Sequence, residues 1–186
     1  MHILAIPGSL RAASINAAFC RAAARLAPAE TPVKVYAGLG HLPLFNPDLE
    51  PETPEPARRW RLAVQGADAL LIASPEYAHG VSGVMKNALD WLVADEAFVG
   101  KPVALVNTSP RAHHAYEAML ETLRTMSARV LESASLNIQL LATCTTEDAM
   151  LACPDTSARI RRILAAVREE LRDPAAPGAR SPFAAT

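Results

Sequence analysis

No apolar stretch of this 186-residue chain approaches the roughly 20 residues needed to cross a bilayer, and no charged region precedes a signal-like apolar segment at its start. No membrane partner is therefore expected, and the chain reads as cytoplasmic. An excess of charge is also missing: 18 Lys and Arg stand against 19 Asp and Glu, a formal net charge of −1, with few basic residues clustered. Nucleic-acid affinity comes largely from neutralising phosphates with Lys and Arg, so a nucleic-acid partner is disfavoured. Cysteine is scarce. Cys20, Cys144 and Cys153 are odd in number, widely spaced and form no C-x-x-C, which points to neither a disulfide framework nor a zinc knuckle and leaves three reduced packing residues. What abounds is apolar side chain, 51% of the residues, enough for one domain with an ample core over residues 1–172. No internal repeat is visible, and the Pro-rich tail 173–186 reads as disordered.

The apolar residues are organised as alternating strands and helices. "HILAI" (2–6), "VKVY" (33–36), "ADALLIAS" (67–74) and "PVALVNTS" (102–109) are short and apolar without polar alternation, as strands covered on both faces are. Between them, Ile15, Ala18, Phe19, Ala22 and Leu26 recur at helical spacing, as do Tyr116, Met119, Leu120 and Leu123. A last strand falls somewhere in 129–141, and Ile160, Ile163, Leu164, Val167 and Leu171 mark a closing helix. The Pro- and Glu-dense segment 46–56 is a loop leading into a helix with Trp60 and Leu62. This order predicts an α/β fold: a doubly wound five-stranded parallel sheet, order 2-1-3-4-5, with helices on both faces.

In such sheets ligands bind beyond the carboxyl ends of the strands, at the point between strands 1 and 3 where the order reverses. The first βα turn, "AIPGSLRAASIN" (5–16), lies there. Gly8 allows a sharp exit from the strand, Ser14 sits where a helix N-cap would, and the amides around Ile15 and Asn16 face outward at the positive end of the helix dipole. An anion fits such a place. Ser9 and Ser14 offer hydroxyls, Asn16 an amide, and Arg11 a planar fork that matches two phosphate oxygens. Together they suit a terminal phosphate monoester. A dinucleotide-binding G-x-G-x-x-G or a Walker loop would need glycines or a lysine that this turn lacks. The plainer alternative is that Ser14 only caps the helix while Ser9 and Arg11 are solvated.

A second stretch, "SPEYAHGVSGVMKNALDWL" (74–92), follows strand 3. Pro75 ends the strand, Glu76 and Tyr77 lie in the loop, and Gly80–Gly83 lead into a helix. A tyrosine and backbone donors beside a helix N-terminus suit a flat polar heterocycle. Phosphate plus flat ring suggests a mononucleotide such as FMN.

These residues resemble the flavodoxin-like NADPH-dependent FMN reductases, a family that includes quinone, azo and chromate reductases. Gly8, Ser9, Arg11, Ser14 and Asn16 match its first motif, G-S-x-R-x-x-S-x-N. Pro75, Glu76, Tyr77, Lys86, Asn87, Ala88, Asp90 and Trp91 match its second, P-E-Y-N followed by a K-N-A-x-D-W helix, and "LPLFNPDLE" (42–50) resembles its segment after strand 2. The resemblance implies a flavodoxin-like fold with the FMN phosphate on the first loop and its ring along Pro75, Glu76, Tyr77, Ala78 and Ser109. It further implies NAD(P)H as co-substrate, a quinone-like or other small electron acceptor, no catalytic side chain, and a homodimer or homotetramer. Two departures stand out. Ala78 replaces the family's Asn, and the glycine-rich third loop reads "NTSPRAHHA" (107–115), where only Ser109 and Pro110 match. His113 and His114, adjacent on a helix, would point about 100° apart, so no metal site is expected. Glu76 reads as an orienting carboxylate before a general base. Two other roles stay open at this point: a non-enzymatic flavin electron carrier, and a flavin-free scaffold or binder of another phosphate ligand.

Overall fold

The computed structural model describes residues 1–109, 113–138, 140 and 143–172; the tail 173–186 and residues 110–112 of the third loop lie outside the described residues. Strands β1 (Ile3–Pro7), β2 (Val33–Val35) and β3 (Ala69–Ala73) are followed by a small antiparallel hairpin, β4 (Glu76–Tyr77) and β5 (Gly80–Val81), and then by β6 (Pro102–Val106) and β7 (Arg129–Val130). The main sheet runs β2-β1-β3-β6-β7, all parallel. Its five strands keep the expected order among themselves; the hairpin is inserted between the third and the fourth. Among the described residues six α-helices accompany them: α1 (Ile15–Leu26), α2 (Glu55–Gly66), α3 (Gly83–Asp90), α4 (His113–Thr125), α5 (Glu147–Ala152) and α6 (Pro154–Arg172).

The strands are apolar throughout because both faces are covered. Successive side chains alternate across a sheet, so Ile3, Ala5, Ala69, Leu71, Ala73, Ala104 and Val106 pack with α1, α5 and α6. Leu4, Ile6, Leu70, Ile72, Val103 and Leu105 pack with α2, α3 and α4. The first face is rich in alanine, and it meets Ala18, Ala22 and Ala23 of α1. Small side chains on both surfaces let α1 lie close against the sheet, with Phe19, fully buried, filling the remaining space. Burial of such a ring stabilises by about 1.5–3 kcal/mol. On the second face Trp60 and Trp91 are buried and both indole N–H groups are satisfied, by Ala88 O at 2.8 Å and Pro43 O at 2.9 Å. Asn87 clamps the same segment, donating to Pro43 O (3.0 Å) and accepting from Phe45 N–H (2.8 Å). The K-N-A-x-D-W helix is thus a scaffold that fixes residues 43–45.

The last strand is short for a reason visible in its hydrogen bonds. After β7 the chain leaves the sheet and rejoins it as a single bridge between Asn107 and Asn137. Where it is away, Leu105 N–H donates instead to Ser135 Oγ at 3.0 Å.

The hairpin turn carries left-handed backbone at both central residues, Ala78 (φ 50°) and His79 (φ 60°). Two-residue hairpins favour this geometry because it matches strand twist, and Asn or Gly usually supplies it. Alanine tolerates it poorly. Ala78→Asn should therefore raise stability by about 0.5–1 kcal/mol, part of the roughly 1–2 kcal/mol left-handed penalty of an ordinary L-residue. Urea unfolding checks this, and an unchanged or lowered midpoint would contradict it.

Candidate functional site

The carboxyl ends of β1, β3 and β6 open onto a cleft of about 310 Å³. Ser9, Arg11, Ala13, Ser14, Ile15 and Asn16 line it from the first loop, Ser74, Pro75, Glu76 and Tyr77 from the second, and Thr108 and Ser109 from the third. Of the ten residues expected from the sequence to contact the cofactor, all but Ala78 line this cleft. Ala78 is exposed at the tip of the hairpin and is not among the lining residues. The left-handed turn places residues 78 and 79 at the far end of β4, so the Asn-to-Ala departure falls on the turn.

Gly8 holds the first two loops together. Its N–H donates to Ala73 O at 2.8 Å, and its carbonyl accepts from the buried Ser82 hydroxyl at 2.6 Å. A Cβ at this position would lie 2.4 Å from Ser74 Oγ and 3.0 Å from Ser74 Cα. Its backbone has no left-handed φ. The glycine is needed for close approach, and the sharp strand exit expected from the sequence is not the reason for it.

Ser14 caps α1, accepting from Ala17 N–H at 3.2 Å. Its hydroxyl proton remains free to donate, so cap and ligand donor are the same group. The amides of Ile15 and Asn16 have no acceptor within the helix, and no acidic residue stands in the first turn. Ser9 Oγ accepts from Arg11 N–H at 3.3 Å, which curls the loop; Arg11 itself is exposed. Asn16 is buried, and its Oδ1 accepts from the Thr108 hydroxyl at 2.8 Å. That bond ties α1 to the third loop and leaves the Asn16 NH₂ as its remaining donor. The cleft's first-loop end is therefore lined by hydroxyls, amides and a guanidinium, the donor set that a phosphate's three oxygens require.

The second and third loops are joined through Glu76, whose Oε2 accepts from Ala115 N–H in the first turn of α4 at 2.9 Å. A carboxylate is favourable at this end of the helix dipole. Glu76 thus orients backbone, as read from the sequence. Tyr77 is 56% exposed beside it, an uncovered aromatic face at the rim. Ser109 N–H donates to Asn107 Oδ1 at 3.0 Å. The two histidines expected to diverge do not: the rings of His113 and His114 lie 4.0 Å apart, and His79 stacks on His114 at 4.4 Å. Side-chain torsion at the helix start, with a third ring to pack on, outweighs the divergence of their Cα–Cβ bonds. Among the described residues no group of three or more His, Cys, Asp or Glu side chains is placed to hold a metal ion.

Four contributors were not singled out from the sequence: Ala13, Ser74, Ser82 and Thr108. Ser74 and Thr108 come just after β3 and β6, so their position at strand carboxyl ends was the available signal. Ser82 is recognisable only as the cap of α3, where its Oγ accepts from Met85 N–H at 3.4 Å.

Comparison with known proteins agrees with this geometry. The family described as NADPH-dependent FMN reductase matches residues 1–144. A 2-hydroxy-1,4-benzoquinone reductase of a Burkholderia species is 38% identical over 112 residues, 59% of this chain and 61% of that protein. A quinone reductase of Pseudomonas putida is 40% identical over 114 residues, again 59% of this chain and 61% of the relative. The match thus spans about three fifths of the length of these relatives. Among solved structures, FerB from Paracoccus denitrificans, a flavoenzyme NAD(P)H:(acceptor) oxidoreductase, superposes with a TM-score of 0.75 at 24% identity over 90% of this chain and 97% of that one. That likeness concerns the fold. With both sequence motifs placed around one cleft at the reversal point of the sheet, and with the family matched over most of the chain, this protein belongs to the NADPH-dependent FMN reductase family.

Proposed function

We propose that the protein is an FMN-dependent NAD(P)H oxidoreductase that passes a hydride from a reduced nicotinamide to a quinone-like or other small acceptor. The observation that carries this reading is the donor-lined end of the cleft, where the Ile15 and Asn16 amides open beside Arg11, Ser9 and Ser14 with no acid in the helix's first turn. These groups fit a phosphate monoester and would hold that end of FMN. Pro75, Glu76, Tyr77 and Ser109 would lie along the ring. FMN, when bound, supplies the hydride chemistry.

The chain's own residues then orient and shield. Glu76 holds the second loop against α4, so the surface offered to the ring is set by a bond on its far side. Tyr77, with its exposed aromatic face, closes one rim of the cleft. No acid or base in the cleft is needed for transfer between ring and nicotinamide, and proximity supplies most of the rate. The names of the two quinone reductases support a quinone-like acceptor. This reading includes a cytoplasmic setting, where reduced nicotinamides are kept, and a homodimer or homotetramer. Val93 and Val99, exposed beside a groove of about 410 Å³ between α3 and α4, are the apolar side chains a second copy would cover.

Three measurements test it. Arg11 is the only cation of the first loop, and a charge-assisted contact contributes about 1.5–3 kcal/mol, so Arg11→Ala should weaken FMN binding by about one to two orders of magnitude. Fluorescence-quenching titration reads it; equal affinity in the two proteins, or equal affinity of the wild type for riboflavin and FMN, would overturn the phosphate assignment. If nicotinamide and acceptor use one pocket in turn, double-reciprocal plots with NADPH and menadione should be parallel, and intersecting lines would reject the shared pocket. Light scattering should return at least twice the chain mass of 19.8 kDa, and a monomer would remove the oligomer from this reading.

A further inference from the structure

A second groove, of about 330 Å³, runs between the end of α1 and one side of α6. Residues 25–28 form one wall, and Arg161, Leu164, Ala165 and Arg168 the other. Helix α1 begins at the cleft, and its 12 residues at about 1.5 Å each put this groove roughly 18 Å away along the helix. Its floor is apolar: Leu26 and Leu164 are buried and Pro28 is half-buried. Its rim is cationic, and among the described residues no carboxylate lines it. The three guanidiniums there differ in what they face. Arg25 is held from behind by Glu147 at 3.3 Å and Asp148 at 2.9 Å, which offset its charge. Arg161 Nη1 donates to Leu26 O at 3.3 Å, a bond that fixes its head at the rim without neutralising it. Arg168 is half-buried and, among the described residues, has neither a hydrogen-bond acceptor nor an ion-pair partner. The same helix pairs its charges elsewhere, Asp155 with Arg159 at 2.9 Å and Glu170 with Arg129 at 3.6 Å.

Two guanidiniums without acids, set above an apolar floor, suit a ligand that is anionic at one end and apolar along its body. A guanidinium fork matches phosphate oxygens in pairs, and its weak hydration suits a partly covered site. Arg161 and Arg168 lie about two turns apart on one side of α6, roughly 10.5 Å along the axis, so their long side chains can converge on one phosphate. The α1 wall is less favourable to an anion, because the last carbonyls of that helix form the negative end of its dipole. The two walls therefore orient the ligand, with its phosphate toward α6 and its apolar body over the end of α1. The volume falls at the low end of the roughly 300–1,000 Å³ usual for small-molecule sites, which fits one ring system better than a dinucleotide. We propose that this groove binds a small, soluble organic phosphate, held by Arg161 and Arg168 with its apolar part on Leu26, Pro28 and Leu164. The site is separate from the cleft and does not rest on the FMN reading.

The test titrates the full, isotope-labelled chain with 1-naphthyl phosphate, in the presence of excess FMN, and follows the amide proton–nitrogen spectrum. Amides of Arg25, Leu26, Ala27 and residues 161–168 should move in a saturable way while Ile15 and Asn16 stay still. Inorganic phosphate, which lacks the apolar body, and 1-naphthol, which lacks the charge, should each bind at least about tenfold more weakly. Arg168→Gln should weaken the probe by about tenfold or more, Arg161→Gln likewise, and Arg162→Gln, outside the groove, should leave it unchanged. No saturable shift in these two segments, an affinity that Arg161→Gln and Arg168→Gln both leave intact, or equal affinity for inorganic phosphate and the probe would overturn the proposal. Shifts confined to Ile15 and Asn16 would overturn it too, since the probe would then be in the cleft. With vesicles of phosphatidylcholine and phosphatidic acid the chain should stay in the supernatant; sedimentation that Arg168→Gln abolishes would put the phosphate on a lipid and overturn the soluble ligand.

Discussion

The structure depends on one close approach. At Gly8 the chain leaving β1 passes against the chain leaving β3, so near that a single methyl group would collide with the side chain and backbone of Ser74. The two loops are bonded there as well, through Gly8 N–H to Ala73 O and Ser82 Oγ to Gly8 O. Because Ser82 also caps α3, the first loop, the second loop and the start of α3 form one unit. Glu76 extends it to α4, and Asn16 extends it to the third loop through Thr108. The cleft is what these bonded loops leave open. Its shape is set by contacts made away from the ligand, which is how a loop site attains the rigidity of its scaffold.

The same residues therefore serve fold and site together. Ser14 accepts a hydrogen bond as a cap and still has a hydroxyl proton to donate; Glu76 satisfies a helix end while its loop lines the cleft. This sharing explains why the first motif is polar although it sits at the edge of an apolar core. The second motif divides differently. Pro75, Glu76 and Tyr77 reach the cleft, whereas Asn87 and Trp91 turn away from it and hold residues 43–45 in place. Lys86 and Asp90 pair with each other one turn apart on the surface.

Most of this was legible in the sequence wherever a physical pattern is local. Four strands were visible because burial on both faces demands unbroken apolar runs, and α1 because its buried positions recur at three and four. The fifth strand was obscure because it leaves the sheet and lets Ser135 substitute for backbone at Leu105, which no periodicity records. The hairpin was missed because Ala78 and His79 give no turn signal, although their backbone is left-handed. Helix α5 is only six residues long, too short to show a period.

The central claim is that the outward-facing amides at the start of α1 hold the phosphate of FMN while the second loop carries its ring. The most direct measurement is an amide proton–nitrogen correlation spectrum of the labelled protein during titration with FMN. The account predicts that Ile15 and Asn16 move most, with Glu76, Tyr77 and Ser109 moving together with them and the α3–α4 surface still. Saturation with FMN that leaves Ile15 and Asn16 unmoved, or that moves residues around Val93 and Val99 instead, would contradict it.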